Sequence, residues 1–259
     1  MTKRSCLVSL CALMFTGLIT GAQARTLNAI RADGTLHILA PTDLYPFTFV
    51  AAGANAGFEI ELLTTIATDL GLKVDIQHAP SNALFQALQD DKADVAVAAL
   101  AITSTREQKV DFTQPTLCAT MSIISADPSL QVATDLQGKT LGVTSGTLLE
   151  TYVKHLDFPK TIKVYNNISD MTLALFSKQI DATFGYTIQK PFLEKLYPKY
   201  PVMFSPPLFS VPVGMAIAQD NLGLRAALNI ELIKLMHDGR YAKLSQKYFG
   251  ADFRCKHNG

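Results

Sequence analysis

From Thr35 onward, short apolar runs alternate with longer stretches in which apolar residues recur every three or four positions. The first rhythm predicts strands and the second amphipathic helices, which together predict an α/β fold. Leu36, Ile38 and Ala40 alternate as a strand that stops at Pro41. Ile60, Leu63, Ile66, Ala67 and Leu70 then share one helical face, ended by Gly71, with Glu59 and Glu61 in a first turn whose dipole favours anions. Leu72, Val74 and Ile76 predict a second strand, and Ser81 is placed to cap a helix that buries Leu84, Phe85 and Leu88. Asp94 to Leu100 is a short apolar run of the kind found in central buried strands.

Ser104 and Glu107 read as a capping box, which puts Arg106 in a first helical turn beside the loop leaving that buried strand. A cation there opposes the helix dipole and is better placed if it meets an anion; a solvated surface arginine is the plainer alternative. A second α/β series begins near Asp135. Leu141 to Val143 predicts a strand, Ser145-Gly146-Thr147 a turn, and Leu148 to His155 a helix start, a junction whose N–H groups suit an anionic ligand group. Met171 to Phe176 reads as helix, Ile180 to Tyr186 as strand, and Thr187 to Leu196 as a short helix interrupted by Pro191. Pro206, Pro207 and Pro212 mark a stiff connection, and Gly214 to Ala218 gives one more strand. A helix on Leu224, Leu228, Leu232 and Leu235, a turn at Gly239 and a last helix with Tyr241, Leu244 and Tyr248 complete the pattern.

The composition narrows the function classes. With 48% hydrophobic residues the chain is too apolar to be disordered. Lys+Arg 23 against Asp+Glu 22 leaves no basic excess to neutralise nucleic-acid phosphates, so nucleic acid is not an expected partner. Residues 1–24 read as a cleaved export signal: Lys3 and Arg4, an apolar run from Cys6 to Ile19, then Ala22-Gln23-Ala24 before Arg25. That run is shorter than the roughly 20 apolar residues a membrane span needs. Cleavage leaves 235 residues with a net charge of −1. Cys118 and Cys255 then remain in an oxidising compartment, as a disulfide or as two buried thiols.

Catalytic and metal motifs fail one by one. Gly138-Lys139-Thr140 lacks the first glycine of a phosphate loop, since position 133 is Ala133, and it precedes a strand rather than a helix. His37, His78, His155, His237 and His257 have no metal-ligand spacing with one another or with the cysteines. No nucleophile is assembled with a base. The expectation is a protein without metal, cofactor or catalytic residues.

Other motifs run in order through nearly the whole mature chain. They are Tyr45-Pro46-Phe47, Gly57-Phe58-Glu59-Ile60-Glu61-Leu62, Asp94-Val95-Ala96-Val97-Ala98, Thr103-Ser104-Thr105-Arg106-Glu107 and Val110-Asp111-Phe112-Thr113. Asp135-Leu136-Gln137-Gly138-Lys139, Ser145-Gly146-Thr147, Gly239-Arg240-Tyr241 and Tyr248-Phe249-Gly250 follow. The series resembles the bacterial extracellular solute-binding proteins of family 3, periplasmic receptors that deliver polar amino acids to ABC importers. The resemblance implies a two-lobed α/β periplasmic-binding-protein fold with two chain crossings and a ligand cleft between the lobes. By that likeness residues 25–114 and 214–259 form the first lobe and 119–209 the second, with hinge crossings at 115–118 and 209–213. The break at Pro206 to Pro212 agrees with the second crossing, whereas no composition shift marks the first. Periplasmic location, a monomer, an ABC permease as partner and a small amino acid or carboxylate ligand are further implications.

The family holds the ligand α-carboxylate with an arginine and with N–H groups from both lobes. Arg106 matches the arginine, and the N–H groups of Ala101 and Leu148 match the donors, beside Thr144, Ser145 and Thr147. Bidentate guanidinium–carboxylate geometry is the physical reason for arginine there. The family's α-ammonium contacts are a carbonyl, a hydroxyl and a carboxylate. Ala99 keeps the carbonyl, but the hydroxyl position is Ala101 and the carboxylate position is Tyr186. Leu44, before Tyr45, and Ser81 stand where aromatic residues commonly sandwich the ligand. Weak discrimination between an amino acid and its deaminated analogue is therefore expected, unless Asp43 or a water takes over the ammonium. Two other readings stay open: an enzyme resembling periplasmic cyclohexadienyl dehydratases, or a binding module serving as a sensor or adhesin. The first needs an acid or base in the cleft, and Ala101, Thr144 and Tyr186 supply no carboxylate.

Overall fold

The computed structural model describes residues 24–255. The predicted export signal lies outside the described residues except for Ala24, as does His257. The chain starts with helix α1 (Leu27–Asp33), capped by Thr26, whose side chain accepts from the Ala29 N–H. Strand β1 (Thr35–Ala40) follows, then a three-stranded meander of β2 (Asp43–Leu44), β3 (Thr48–Ala51) and β4 (Ala54–Ala56). Helix α2 (Phe58–Asp69) buries Phe58, Ile60, Leu62, Leu63 and Ile66, and Gly71 turns the chain with φ 74° into β5 (Lys73–His78). Helix α3 (Leu84–Gln89), strand β6 (Val95–Ala96), helix α4 (Ser104–Glu107) and strand β7 (Asp111–Phe112) come next.

These strands, joined by a late arrival, form a five-stranded sheet in the order β5-β1-β6-β14-β7, where β14 is Ala216–Ile217. The β1 pairings with β5 and β6 are parallel and those of β14 antiparallel, as a strand returning from elsewhere in the chain requires. Helices α8 (Leu222–His237) and α9 (Arg240–Phe249) pack beside α2 on this sheet.

Between β7 and β14 the chain builds a second sheet. Its strands are β8 (Leu117–Ser125), β9 (Thr140–Thr144), β10 (Thr161–Tyr165), β11 (Ala182–Tyr186), β12 (Met203–Phe204) and β13 (Phe209–Val213), in the order β10-β9-β11-β8, with β12 and β13 both on β8. Helices α5 (Leu148–Lys154), α6 (Ile168–Phe176) and α7 (Lys190–Leu196) accompany it. Two lobes result. The chain passes between them on an antiparallel pair, in which Leu117 faces Val213 and Cys118 faces Pro212. A disulfide joins Cys118 to Cys255, so the disulfide alternative is the one realised.

Several local expectations are corrected. Thr103, not Ser104, caps α4: its backbone is extended and its hydroxyl accepts from the Arg106 N–H, which leaves Ser104 as the first helical residue. Ser81 caps nothing; it opens a 3-10 turn over Ser81–Ala83, and α3 starts only at Leu84. Pro191 lies in the first turn of α7, where its missing N–H costs no helical bond, so it starts the helix rather than interrupting it. The prolines from 206 to 212 do not all lie in a connection, because Pro212 sits in β13. Only Val95 and Ala96 of the 94–100 run are strand.

Candidate functional site

The single turn of α4 brings the Arg106 guanidinium to the junction of the lobes. Nη1 donates to the carbonyl of Ala101 at 3.0 Å within the first lobe, and Nη2 to the carbonyl of Gly146 at 3.3 Å in the second. The guanidinium also lies 5.5 Å from the centre of the Phe85 ring. Both hydrogen-bond partners are neutral, and Arg106 pairs with no carboxylate among the described residues. Burial lowers its pKa, as expected of a cation taken out of water without a counter-ion.

Facing it is the loop that β9 feeds into α5. Thr147 caps α5 by accepting from Glu150 N–H and donates its hydroxyl to the Thr144 carbonyl. Glu150 in turn accepts from the Gly146 N–H at 2.7 Å. Gly146 has φ 76°, and a Cβ there would fall 2.5 Å from the Asn82 Cα of the other lobe. Only glycine allows so close an approach of the lobes at this point.

The opposite wall is made by Tyr186 at the end of β11. Its hydroxyl is buried and donates to the Ala99 carbonyl across the cleft at 2.9 Å. Burial raises the phenol pKa, so the group stays protonated and acts as a donor. Ala99 adopts φ 47°, a left-handed conformation that β-branched residues disfavour. Its N–H points the other way, to Glu59 Oε2 at 2.8 Å. Glu59 is 1% exposed, and desolvation pushes its pKa up to about 8 against the weaker, lowering effect of the Ala99 hydrogen bond. The helix-dipole reading of Glu59 as a first-turn anion therefore gives way to a neutral acid inside the first lobe. Nothing local in the sequence marks this, because the partner is 40 residues away.

Leu44, Ser81, Ala99, Arg106, Thr144, Thr147, Leu148 and Tyr186 all line one cavity between the lobes. Four other expected residues lie outside its lining. Asp43 spends its Oδ2 on α6, accepting from the Ile168 and Ser169 N–H groups at 3.0 and 2.9 Å and from the Ser169 hydroxyl at 3.0 Å. Tyr45 stacks on Phe49, and its carbonyl accepts from Gln189 Nε2 at 2.7 Å. Ser145 gives its N–H to Tyr165 of β10. Ala101 is fully buried and holds Arg106 by its carbonyl.

Sequence reasoning missed Glu59, Gln189 and an apolar extension of the cavity into the second lobe. Ile124, Met171, Leu175, Phe176, Leu193 and Val202 line that extension. Arg106 is the one charged residue in the whole lining. No cluster of metal-ligating side chains occurs among the described residues.

Two α/β lobes joined by an antiparallel pair, with an unpaired guanidinium held between them, define a two-lobed binding protein. Residues 36–251 match the bacterial extracellular solute-binding proteins, family 3, and the chain belongs to that family. It is 29% identical over 214 residues to the histidine-binding periplasmic protein of Salmonella typhimurium, covering 78% of this chain and 82% of that one. An ancestral arginine-binding protein bound to arginine superposes with TM-score 0.80 at 32% identity, over 84% of this chain and 99% of the other. An ancestral amino acid-binding protein described as a precursor of cyclohexadienyl dehydratase superposes equally well, at 27% identity, over 86% and 98% of the two chains. Among the described residues no helix is long and apolar enough to cross a membrane.

Proposed function

We propose that this chain is a periplasmic receptor that captures a small carboxylate-bearing solute, an amino acid or a close relative of one, and presents it to the membrane permease of an ABC importer. One observation carries the reading: Arg106 sits between the lobes, tied to both by neutral carbonyls and lacking a carboxylate of its own. A ligand carboxylate supplies the missing charge, and a planar guanidinium receives it with two parallel hydrogen bonds. The relatives named above support the transport role. Residues 25–114 and 214–259 act as one lobe and 119–209 as the other, bending at 115–118 and 209–213. Sheet membership and the β8–β13 pair support that division. Capture rather than turnover is favoured because the cavity lining carries no carboxylate and no histidine to move a proton.

Calorimetry on Arg106→Ala tests this reading. A charge-assisted hydrogen bond contributes roughly 1.5–3 kcal/mol, so affinity for the bound carboxylate falls by about tenfold to more than a hundredfold. Wild-type affinity in a folded mutant would show that Arg106 only ties the lobes together and does not hold the ligand carboxylate. Closure gives a second readout. In the structure Tyr186 bonds Ala99, Gln189 bonds Tyr45 and Asp43 bonds α6, all across the cleft. Stripped of ligand, the lobes separate, and small-angle scattering shows a larger radius of gyration that contracts on saturation. An identical profile with and without ligand, at confirmed occupancy, would count against hinge motion.

A further inference from the structure

We infer that the solute is an apolar monocarboxylate without an α-ammonium group, its carboxylate on Arg106 and its tail in the apolar chamber of the second lobe. This rests on the carboxylate-capture reading above and narrows it to a ligand class.

An ammonium buried beside Arg106 needs a carboxylate or several free carbonyls, because an unpaired buried charge is costly. The lining offers no carboxylate. The carbonyls of Ala99, Ala101 and Gly146 each already accept one hydrogen bond, and for Ala101 and Gly146 the donor is the Arg106 cation itself. The hydroxyl protons of Thr147, Thr172 and Thr183 are spent within the second lobe, on Thr144, Ile168 and Gly142, and Thr147 also accepts from the Glu150 N–H. A neutral hydroxyl supplies no counter-charge to an ammonium. The side-chain oxygen of Gln189 accepts from the Tyr186 N–H. Glu59 lies behind the Ala99 peptide rather than in the lining. The single charge in the lining is the Arg106 cation, which attracts an anion and repels an ammonium.

On the second-lobe side the lining includes Ile124, Met171, Leu175, Phe176, Leu193 and Val202, four of which belong to that lobe's apolar core. Such a chamber is dominated by apolar surface and gains free energy for each methylene it removes from water. A cationic side chain has a different place to go: the adjoining polar hollow between Asp43, His78 and Asn167. The Asp43 oxygen that faces α6 is already held there by three hydrogen bonds.

The test uses matched pairs on protein unfolded, dialysed and refolded to remove bound solute: hexanoate against norleucine, and hydrocinnamate against phenylalanine. Arginine and histidine serve as cationic comparators, and acetate and butyrate complete a chain-length series. Calorimetry is expected to show each deaminated acid at least tenfold tighter than its amino partner, with affinity rising about fourfold per methylene from acetate to hexanoate. Leu175→Trp, which fills the chamber, abolishes that rise. If Leu175→Trp fails to fold, the chain-length series on the wild type decides alone. Equal or tighter binding of norleucine or phenylalanine overturns the inference and leaves carboxylate capture standing. So does tight binding of arginine or histidine that Asp43→Asn abolishes. Failure of every carboxylate to bind the refolded protein overturns capture itself and this inference with it.

Discussion

Between about pH 4.5 and about pH 8 the folded protein loses stability as pH rises, and Glu59→Gln removes most of the loss. The sign follows from proton counts. Unfolded, Glu59 releases its proton near the ordinary glutamate value of 4.5; folded, desolvation holds the proton until about 8. Within that window the native state binds more protons than the unfolded state, so raising the pH favours unfolding. Below the window both states are protonated and the difference vanishes; above it the full penalty of a buried carboxylate applies. At 1.36 kcal/mol per pKa unit, the loss is on the order of 4–5 kcal/mol across the window. Burial raises the Asp94 pKa too, adding a slope of the same sign, whereas Asp69 and Asp75 are lowered by hydrogen bonds and titrate below the window. Comparison with Glu59→Gln isolates the glutamate, since the amide keeps an acceptor for the Ala99 N–H and cannot ionise. Denaturant unfolding at about pH 5 and about pH 8 measures both proteins. Parallel losses in the two would show that Glu59 is ionised throughout. The neutrality of Glu59 also matters for the site: a carboxylate behind Ala99 would offset the charge of Arg106, and a carboxylic acid does not.

Much of the fold was legible because its signals are local. The alternation in β1 and the one-sided face of α2 follow from neighbours in sequence, and so does the helical turn that places Arg106, although the cap is Thr103. The longest strand, β8, was invisible for a physical reason. Ala119, Thr120, Ser122 and Ser125 break up its apolar residues, yet Ser122 and Ser125 are buried. Ser125 donates to the Asp181 carbonyl and Ser122 shares a hydrogen bond with Thr187, partners more than 50 residues away. The same limit applied to the site. Replacement of a family carboxylate by Tyr186 could be seen in the sequence, but not that its hydroxyl takes up the Ala99 carbonyl, 87 residues distant. The apolar chamber draws on β8, α6, α7 and the segment before β12, none of which announces a shared cavity by its own pattern. Short-range periodicity fixes elements; cavities and burial of single polar groups depend on pairings that only the folded chain provides.

Loss of the Cys118–Cys255 disulfide will cost roughly 3–5 kcal/mol of stability in the Cys118→Ala/Cys255→Ala double mutant. The bridge spans 137 residues and fastens the segment after α9 to β8, next to the place where β8 and β13 carry the chain between lobes. A closed loop of that length restricts the unfolded chain strongly, and chain-entropy arguments put the effect near the upper end of the usual range. Native contacts around the bridge remain when it is removed. The Cys118 N–H still donates to the Phe253 carbonyl, Tyr241 stays buried with its hydroxyl on the Thr116 carbonyl, and Phe249 still packs on Phe47 and Phe58. The mutant is therefore expected to fold, to bind with near wild-type affinity, and to melt on the order of 10 °C lower, at about 2–4 °C per kcal/mol for a chain of this size. Calorimetric melting of the mutant and of the reduced wild type should agree, because both remove the same constraint from the unfolded state. A stability loss under about 1 kcal/mol would show that the bridge contributes far less than its loop length implies. A loss confined to ligand affinity, with melting unchanged, would instead place its role in setting the bend between the lobes.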